Sequence, residues 1–422
     1  MKSLDRKLAE IRQHPDSKAF IIADAKDADM AFGVRATGER RYLSQKGAQP
    51  AQFSPEVWTR DEFGFRNLPE FLDITREVIQ QGLVDIVLMS AAVNEQLTIK
   101  EKLFESSAIT PAARANDATD VWAIRHGAYL NEAARPFRSA SIDQIQCGKV
   151  ECDRQNSPPF PGANLGLYSV TFVNDLDQDY KTLQAFKEFR TEAEQKGFRY
   201  FLEVFDPNVD SRIPGEKLGE FINDNILRNL AGVPEAGRPQ FLKIVYHGPR
   251  YMEELCQYDP QMVVGILGGS AGTTYDAFKL LHEAQKYGAK VALYGRKINN
   301  AEHQLAFIEM LRLIADKRIS PEEAVRAYHG LLQRLKIKPH RELAKDMELT
   351  NQAMSYDSQS KSRSNVDFGR STGKKPESST NEGTSHTEEP TSSRRRPRPD
   401  FSAMTPQERR DYHRQRLKRT FG

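Results

Sequence analysis

Residues 241–246 read Phe-Leu-Lys-Ile-Val-Tyr, an almost continuously apolar stretch with one lysine inside it. Such a run is typical of a parallel strand that is buried on both faces. Similar runs alternate with helical segments along the chain, at residues 19–23, 84–89, 165–173, 200–205, 262–267 and 290–294. This alternation of strands and helices predicts an α/β fold with a parallel sheet.

One more strand completes a set of eight, and two segments qualify for the third position, residues 121–124 and 142–146. Eight strands favour a (β/α)8 TIM barrel, which takes about 250 residues. An open doubly wound sheet is the alternative, although residues 23–28 contain no glycine for a dinucleotide-binding turn.

The remaining segments complete this barrel. We expect loop insertions at 38–68 and 147–164, and extra helices over 301–350. Thr273 or Thr274 should cap a helix that buries Ala277, Leu281 and Ala284 and ends before Gly288. Ser320 should cap a second helix, with Ala324, Tyr328, Leu331 and Leu335 on one face.

Charge and hydropathy divide the chain near residue 350. The formal charge is +3, but residues 351–422 carry 15 basic and 9 acidic side chains, which leaves −3 for residues 1–350. The mean hydropathy of −0.64 is low for a purely globular enzyme. We predict a barrel over 1–350, a disordered linker over 351–393 and a basic tail with a short helix over 394–422.

The net negative charge of residues 1–350 argues against nucleic-acid binding by the barrel. The basic tail could bind RNA, an acidic partner or a membrane surface, and the alternative is that it is a solvated segment without a partner. The cysteines Cys147, Cys152 and Cys256 are expected to be ordinary thiols. The first residues lack the apolar core of a signal peptide, and no apolar stretch approaches the roughly 20 residues of a membrane span. The sequence therefore predicts a cytoplasmic protein.

Lys243 is the most informative candidate for chemistry. Burial in an apolar strand lowers the pKa of a lysine, and the neutral amine can attack a carbonyl to form a Schiff base. The alternative is a lysine at a sheet edge or one whose ammonium reaches solvent.

Two acids join Lys243 as candidates. Glu203 lies in the apolar run 200–205 and would face Lys243 if the two segments are strands five and six. It then either transfers protons or forms a structural ion pair with the lysine. Asp24 ends the first strand, where it either takes part in the chemistry or caps the following loop.

Two glycine turns follow the last strands, Gly268-Gly269-Ser270 after the seventh and Gly295-Arg296 after the eighth. TIM barrels commonly bind phosphate in these loops. His247 is predicted to be a loop residue rather than a base, and no role is assigned to Arg125, His126, Arg135 and Arg138.

The strand-six lysine, strand-five acid, strand-one aspartate and paired glycine turns together resemble the class I (Schiff-base) aldolases, in particular the tagatose-bisphosphate and archaeal-type fructose-bisphosphate group. The resemblance covers about residues 15–335. It implies an imine on Lys243, proton transfer by Glu203, an Asp24 that orients or deprotonates the substrate hydroxyl, and a phosphate held by Gly268, Gly269, Ser270, Gly295 and Arg296. It implies no metal and no cofactor, because the iminium is the electron sink.

Two positions depart from that family. Phe205 occupies the place of a strand-five tyrosine, and the run 165–170 has no lysine, although Tyr168 is a possible substitute. From the resemblance as a whole we expect an aldolase of carbohydrate metabolism that acts on a phosphorylated ketose or related sugar and forms a homo-oligomer. The alternative is a non-catalytic barrel with a regulatory or scaffold role, in which the tail binds the partner.

Overall fold

The computed structural model describes residues 1–14, 16–38, 65–155, 159–269, 272–351 and 405, 407 and 408. In these residues, parallel strands close into an eight-stranded barrel in sequence order, because the first strand pairs with both the second and the eighth. The strands are β1 Ile21–Lys26, β2 Ile86–Met89, β3 Thr110–Arg114, β4 Leu165–Thr171, β5 Arg199–Phe205, β6 Leu242–Ile244, β7 Val264–Leu267 and β8 Val291–Tyr294. The predicted (β/α)8 barrel is confirmed.

Helices cover the outside of the barrel. Their bounds are α1 Ser3–Gln13, α2 Asp29–Phe32, α3 Leu68–Gln81, α4 Ala91–Asn94, α5 Ile142–Cys147, α6 Leu176–Gln195, α7 Leu218–Leu230, α8 Pro249–Tyr258, α9 Thr274–Lys286, α10 Arg296–Asn299, α11 Gln304–Ala315, α12 Pro321–Arg334 and α13 Leu343–Asp346. Thr273 and Ser320 cap α9 and α12 as predicted, and each does so in a capping box. Leu335, which was expected on the buried face of α12, is 46% exposed.

Side chains alternate between two apolar regions, as the two-residue period of a strand requires. Odd-numbered residues of β1, β4 and β5, such as Ala23, Leu167 and Phe201, face the barrel interior, whereas Ile22 and Leu202 pack against the helices. A polar side chain therefore reaches the mouth of the barrel only if it lies on the inward face of its strand.

Helix α1 closes the end of the barrel opposite the carboxyl ends of the strands. Its apolar residues Leu4, Leu8 and Ile11 pack on the interior side chains. Polar contacts fix it to the segments that precede three strands: Ser3 N donates to Ala108 O, Lys7 Nζ to Phe20 O, and Arg12 Nη2 to Gln240 O.

The third strand is Thr110–Arg114, so both segments predicted for it are wrong. Residues 121–124 lie in a loop, and residues 142–147 form helix α5, capped by Ser141. The true strand reads Thr-Pro-Ala-Ala-Arg and lacks the bulky apolar residues that indicate a strand from sequence. Its small side chains are nevertheless buried between β2 and β4.

Two of the three cysteines form a disulfide, Cys147 with Cys152, and Cys256 is free. The expectation of ordinary thiols is therefore wrong for the first pair. Helix α5 ends at Cys147, and Gly148 adopts a left-handed conformation that turns the chain back, which brings the two Cα atoms to 5.8 Å.

The barrel strands and helices α1 to α13 all belong to one compact unit. The predicted linker and tail lie almost wholly outside the described residues, so their disorder and their helix stay predictions. The described Thr405 and Glu408 exchange the hydrogen bonds of a capping box. In the described portion of the chain, no helix is long and apolar enough to cross a membrane.

Candidate active site

Lys243 and Glu203 meet inside the barrel. They are direct neighbours in the register of β5 and β6, and the alternation of both strands turns them inward. Lys243 Nζ and Glu203 Oε1 form an ion pair, in which Lys243 is 6% exposed and Glu203 is 1% exposed. The structure therefore brings together the two side chains that the sequence analysis ranked first.

The second oxygen of Glu203 is also held. Ser169 Oγ on β4 donates to Glu203 Oε2 at 2.8 Å. Ser169 is fixed in turn by Asn116, whose amide bonds to both the N–H and the C=O of Ser169, at 2.6 and 2.8 Å. Because both oxygens of Glu203 have fixed partners, the carboxylate is pre-oriented toward the lysine.

Arg114, at the end of β3, joins this pair to a second acid. Its Nε donates to Asp27 Oδ2 at 2.6 Å and its Nη1 donates to Ser169 Oγ at 3.2 Å. Its Nη2 lies 3.7 Å from Glu203 Oε2. Burial lowers the pKa of Arg114, but Asp27, Asp117 and Glu203 outweigh burial and raise that pKa above its usual range. Arg114 was not among the candidates predicted from the sequence.

Buried acids also follow β3. Burial raises the pKa of Asp117 to about 6, against the opposing effect of Arg114. Burial likewise raises the pKa of Asp120 to about 6, although Thr171 Oγ1 donates to its Oδ2 at 2.8 Å. The other oxygen of Asp120 has no hydrogen-bond partner among the described residues. The segment that follows β3 therefore carries two buried acids close to the site, one of them 3.7 Å from Arg114.

Asp24 does not join the site. It lies on the outer face of β1, where it forms an ion pair with Lys26 at 2.9 Å, and both side chains are fully buried. Lys26 also contacts Asn299 of α10 and, at 3.1 Å, Gln304 of α11. Burial raises the pKa of Asp24 and lowers that of Lys26. The acid of the first strand that reaches the mouth is Asp27, one residue beyond β1.

A cavity opens above these charged residues. Its empty space, counted together with its opening to solvent, is about 640 Å³. Asp27, Arg114, Glu203 and Lys243 line its polar part. Its other described lining residues are Ala25, Ala28, Ala31, Phe32, Val121, Phe205, Leu267, Gly268, Gly269, Leu293, Gly295 and Arg296.

Both predicted glycine turns reach this cavity. A Cβ at Gly268 would meet the ring of Tyr294 at 2.0 Å, and Gly269 has a φ of +60°, so the first turn needs glycine at both positions. The guanidinium of Arg296 lies 5.4 Å from the ring centroid of Phe32. Ser270, the third residue of the first turn, lies outside the described residues.

The loops after β1 and β3 meet over the mouth. Ala123 N donates to Ala31 O at 2.9 Å, and Arg35 Nη2 donates to Ala123 O at 2.9 Å. Beneath this contact the side chains of Ala31, Val121, Phe205, Val245 and Leu267 form a buried apolar group. The two loops therefore contribute apolar side chains, among them Ala31 and Val121, to the lining of the cavity.

The remaining candidates do not line the cavity. His247 Nε2 lies 2.8 Å from Asp206 Oδ1, and both side chains are buried beside the mouth. Tyr168 faces the helices and stacks on Phe189, with ring centroids 4.3 Å apart, so its hydroxyl is not at the site. Arg125, His126 and Arg135 are exposed, and Arg138 pairs with Glu192.

Comparison with known proteins supports the barrel. No family model and no curated relative matches the sequence. The chain is similar to the crystal structure of an archaeal fructose 1,6-bisphosphate aldolase, with a TM-score of 0.50 and 12% identity over 75% of this chain and 100% of that one.

A second archaeal fructose-1,6-bisphosphate aldolase, whose catalytic lysine is covalently bound to the carbinolamine intermediate of its substrate, matches with a TM-score of 0.50 and 13% identity. The match covers 74% of this chain and 100% of the neighbour. At these identities the likeness shows a shared fold.

Proposed function

We propose that this protein is a class I aldolase that cleaves or forms a carbon–carbon bond in a phosphorylated ketose or related sugar through a Schiff base on Lys243. The observation that carries the proposal is the buried Lys243–Glu203 pair at the floor of the cavity. Two barrels of the same fold are described as aldolases, one of them with its lysine bound to a carbinolamine. The proposal includes a cytoplasmic location and a homo-oligomer.

Imine formation uses the two paired side chains. Lys243 passes a proton to Glu203, and the neutral amine attacks the substrate carbonyl carbon to give a carbinolamine. Glu203 then returns the proton to the carbinolamine hydroxyl, which leaves as water while the C=N bond forms. Ser169 and Arg114 hold the carboxylate in place during both transfers.

Asp27 is our candidate base for the bond-breaking step, in the role that the sequence analysis gave to Asp24. Asp27 takes the proton from the hydroxyl at the β-carbon relative to the iminium carbon, and that hydroxyl becomes the carbonyl of the leaving aldehyde. The electrons of the broken C–C bond move into the iminium and give an enamine. Protonation of the enamine carbon and hydrolysis of the imine by water then restore Lys243 and release the ketone.

The glycine turns supply the anchor for a phosphate. Gly268 and Gly269 follow β7, and Gly295 and Arg296 follow β8, at the carboxyl ends of the strands where barrels bind phosphate. Backbone N–H groups and a guanidinium suit a phosphate dianion. Ser270 belongs to the same proposed set.

Borohydride trapping tests this proposal. The protein is incubated with ketose phosphates, reduced, digested and examined by mass spectrometry, and we expect a sugar adduct on Lys243. Lys243→Met should abolish it, whereas Lys26→Met, which removes an equally buried lysine from the outer face of β1, should retain it. Absence of any Lys243 adduct, or an adduct that survives in Lys243→Met, would refute the proposal.

A further inference from the structure

The turn that follows β7 is held at both of its described ends. At the first end, Gly268 lies against the ring of Tyr294, and Tyr294 Oη donates to Ala277 O of α9 at 2.7 Å. At the other end, Gly272 has a φ of +87°, and a Cβ there would meet Asp276 Oδ2 at 2.2 Å. Because Gly268 lines the cavity, the contacts of Asp276 bear on a wall of the site.

Asp276 is fixed by the segment that follows α13. Its Oδ1 accepts from Thr350 N at 2.8 Å and from Asn351 N at 3.1 Å. Thr350 Oγ1 donates to the other oxygen of the carboxylate, which also accepts from Thr273 N at 2.7 Å. Thr273 Oγ1 in turn donates to Glu348 O at 2.7 Å. The start of α9 is therefore joined to this segment by both side-chain and backbone groups.

Helix α13 brings a second carboxylate to the same place. Asp346 Oδ1 accepts from Thr274 N at 2.8 Å, and Asp346 Oδ2 lies 2.9 Å from His329 Nε2 of α12. Asp346 is 2% exposed, although Leu343 at the start of this short helix is 41% exposed. Burial of a carboxylate is unfavourable unless the group is hydrogen-bonded. These hydrogen bonds, and not the apolar side chains of α13, therefore place the helix.

Lys297 joins the same turn to the turn after β8. It follows Arg296, which lines the cavity, and its Nζ donates to Gly272 O at 2.9 Å. Burial lowers the pKa of Lys297 to about 8, against the opposing effect of Asp346 and Asp276. The ammonium therefore lies close enough to both carboxylates to be stabilised by them.

We infer that residues 343–351 belong to the binding site, because they hold the turn after β7 in the position that receives the phosphate of the substrate, with Asp346 as a positioning residue. This inference rests on the proposed aldolase function. Thr273 N and Thr274 N are bonded to carboxylates, so a phosphate depends on how the preceding turn is placed. A turn that is fixed before binding loses less conformational entropy when the ligand binds, which increases affinity.

The test is borohydride trapping of the full-length protein over a range of concentrations of a ketohexose 1-phosphate, the 6-phosphate and the neutral ketohexose. In Asp346→Ala we expect the half-saturating concentration of the phosphorylated sugar that labels Lys243 to rise at least about tenfold, which corresponds to about 1.4 kcal/mol. The maximal rate of labelling should stay within about threefold of the wild type, because the groups around Lys243 are unchanged. The rate with the neutral sugar should not change, since it has no phosphate for the turn to hold.

Three further variants separate positioning from stability. Ser320→Ala removes the capping box of α12, should cost about 1 kcal/mol of stability, and should leave the half-saturating concentrations unchanged. Asp346→Asn keeps an oxygen for Thr274 N and should retain the wild-type value; a tenfold rise there would contradict the role of that hydrogen bond. Lys297→Met cuts the other connection to the turn, should act like Asp346→Ala, and serves if Asp346→Ala does not fold.

Two results would overturn the inference and leave the aldolase function standing. One is a half-saturating concentration that is unchanged in folded Asp346→Ala, or in folded Lys297→Met where it serves instead. The other is an equal loss with the phosphorylated and the neutral sugar, which indicates a general structural role. If none of the three sugars labels Lys243 in the wild type, the aldolase function is refuted, and the inference with it.

Discussion

Replacing Arg114 by methionine should destabilise the barrel strongly at neutral pH and less at acidic pH. Arg114 is 7% exposed and is surrounded by three acids. Methionine fills a similar length of space without charge. The substitution therefore isolates what the guanidinium does for the carboxylates around it.

The magnitude follows from the geometry. At an effective dielectric constant of about 20, a pair of unit charges at the 3.7 Å separation of Arg114 from Asp117 and from Glu203 attracts by roughly 4 kcal/mol before desolvation is subtracted. Removing one partner of a buried pair typically costs about 3–5 kcal/mol. We expect a loss of this size in the free energy of unfolding at pH 7.

The direction in which the stability loss changes with pH follows from the pKa of Asp117. Burial already raises the pKa of Asp117 to about 6, and loss of Arg114 raises the pKa further. An acid whose pKa is higher in the folded state takes up a proton first in that state, so stability increases as the pH falls toward the pKa of the unfolded chain. The deficit of Arg114→Met should therefore shrink between pH 7 and pH 5, by up to about 1.4 kcal/mol per pH unit for each such acid.

Urea unfolding at pH 7 and pH 5 measures both effects. The matched control is Arg76→Met, which removes a more exposed ion pair with Glu101 and should cost about 1 kcal/mol or less at both pH values. The reasoning is refuted if Arg114→Met costs no more than the control, or if its deficit stays constant between the two pH values.

Four further outcomes are expected. Asp120→Asn should stabilise the protein at pH 7 by at most about 3 kcal/mol, because burial raises the pKa of this acid to about 6. The gain in stability, measured by thermal denaturation, should disappear between pH 6 and pH 4. A gain that does not change with pH would contradict the raised pKa of Asp120. Reduction of the Cys147–Cys152 disulfide should lower the free energy of unfolding by about 2 kcal/mol, and a reductant should not shift the unfolding midpoint of Cys147→Ser further. Asp27→Asn should lower kcat at least about 100-fold for any sugar that is trapped on Lys243, because Asp27 is the proposed base. Asp24→Asn should lower stability and leave kcat unchanged. A larger loss of kcat in Asp24→Asn than in Asp27→Asn would show that Asp24 is the base. Deletion of residues 352–422 should leave kcat unchanged if the barrel is the enzyme, and a loss of turnover would favour a function that depends on the tail.

Most of the barrel can be predicted from sequence because seven of its strands are continuous apolar runs. The third strand is the exception, since Ala112 and Ala113 become buried through their neighbours and give no periodic pattern of their own. Residues 142–146 have the apolar spacing of either a strand or a helix, and the cap at Ser141 decides for the helix. Short apolar segments leave this ambiguity open.

The site residues in the middle of strands could be predicted from the sequence, whereas those at the ends of strands could not. Lys243 and Glu203 lie in the middle of strands, so the alternation of side chains is enough to turn them inward. Asp24 and Asp27 are three residues apart and therefore lie on opposite sides of the chain. Which of them reaches the mouth depends on the register of β1, which side-chain types alone do not determine. Arg114 would have been found by placing the third strand correctly.

The helix that closes the lower end of the barrel has a consequence for the order of folding. Helix α1 is synthesised before every strand of the barrel, yet its apolar face packs on side chains from Ile21 to Leu293, and Arg12 contacts Gln240 across 228 residues of chain. Its docking surface is complete only after the last strand has joined the first. Contacts so distant in sequence slow folding, because a long loop must be closed before they form. This helix is therefore made before the barrel that it closes and is among the last elements to reach its native position.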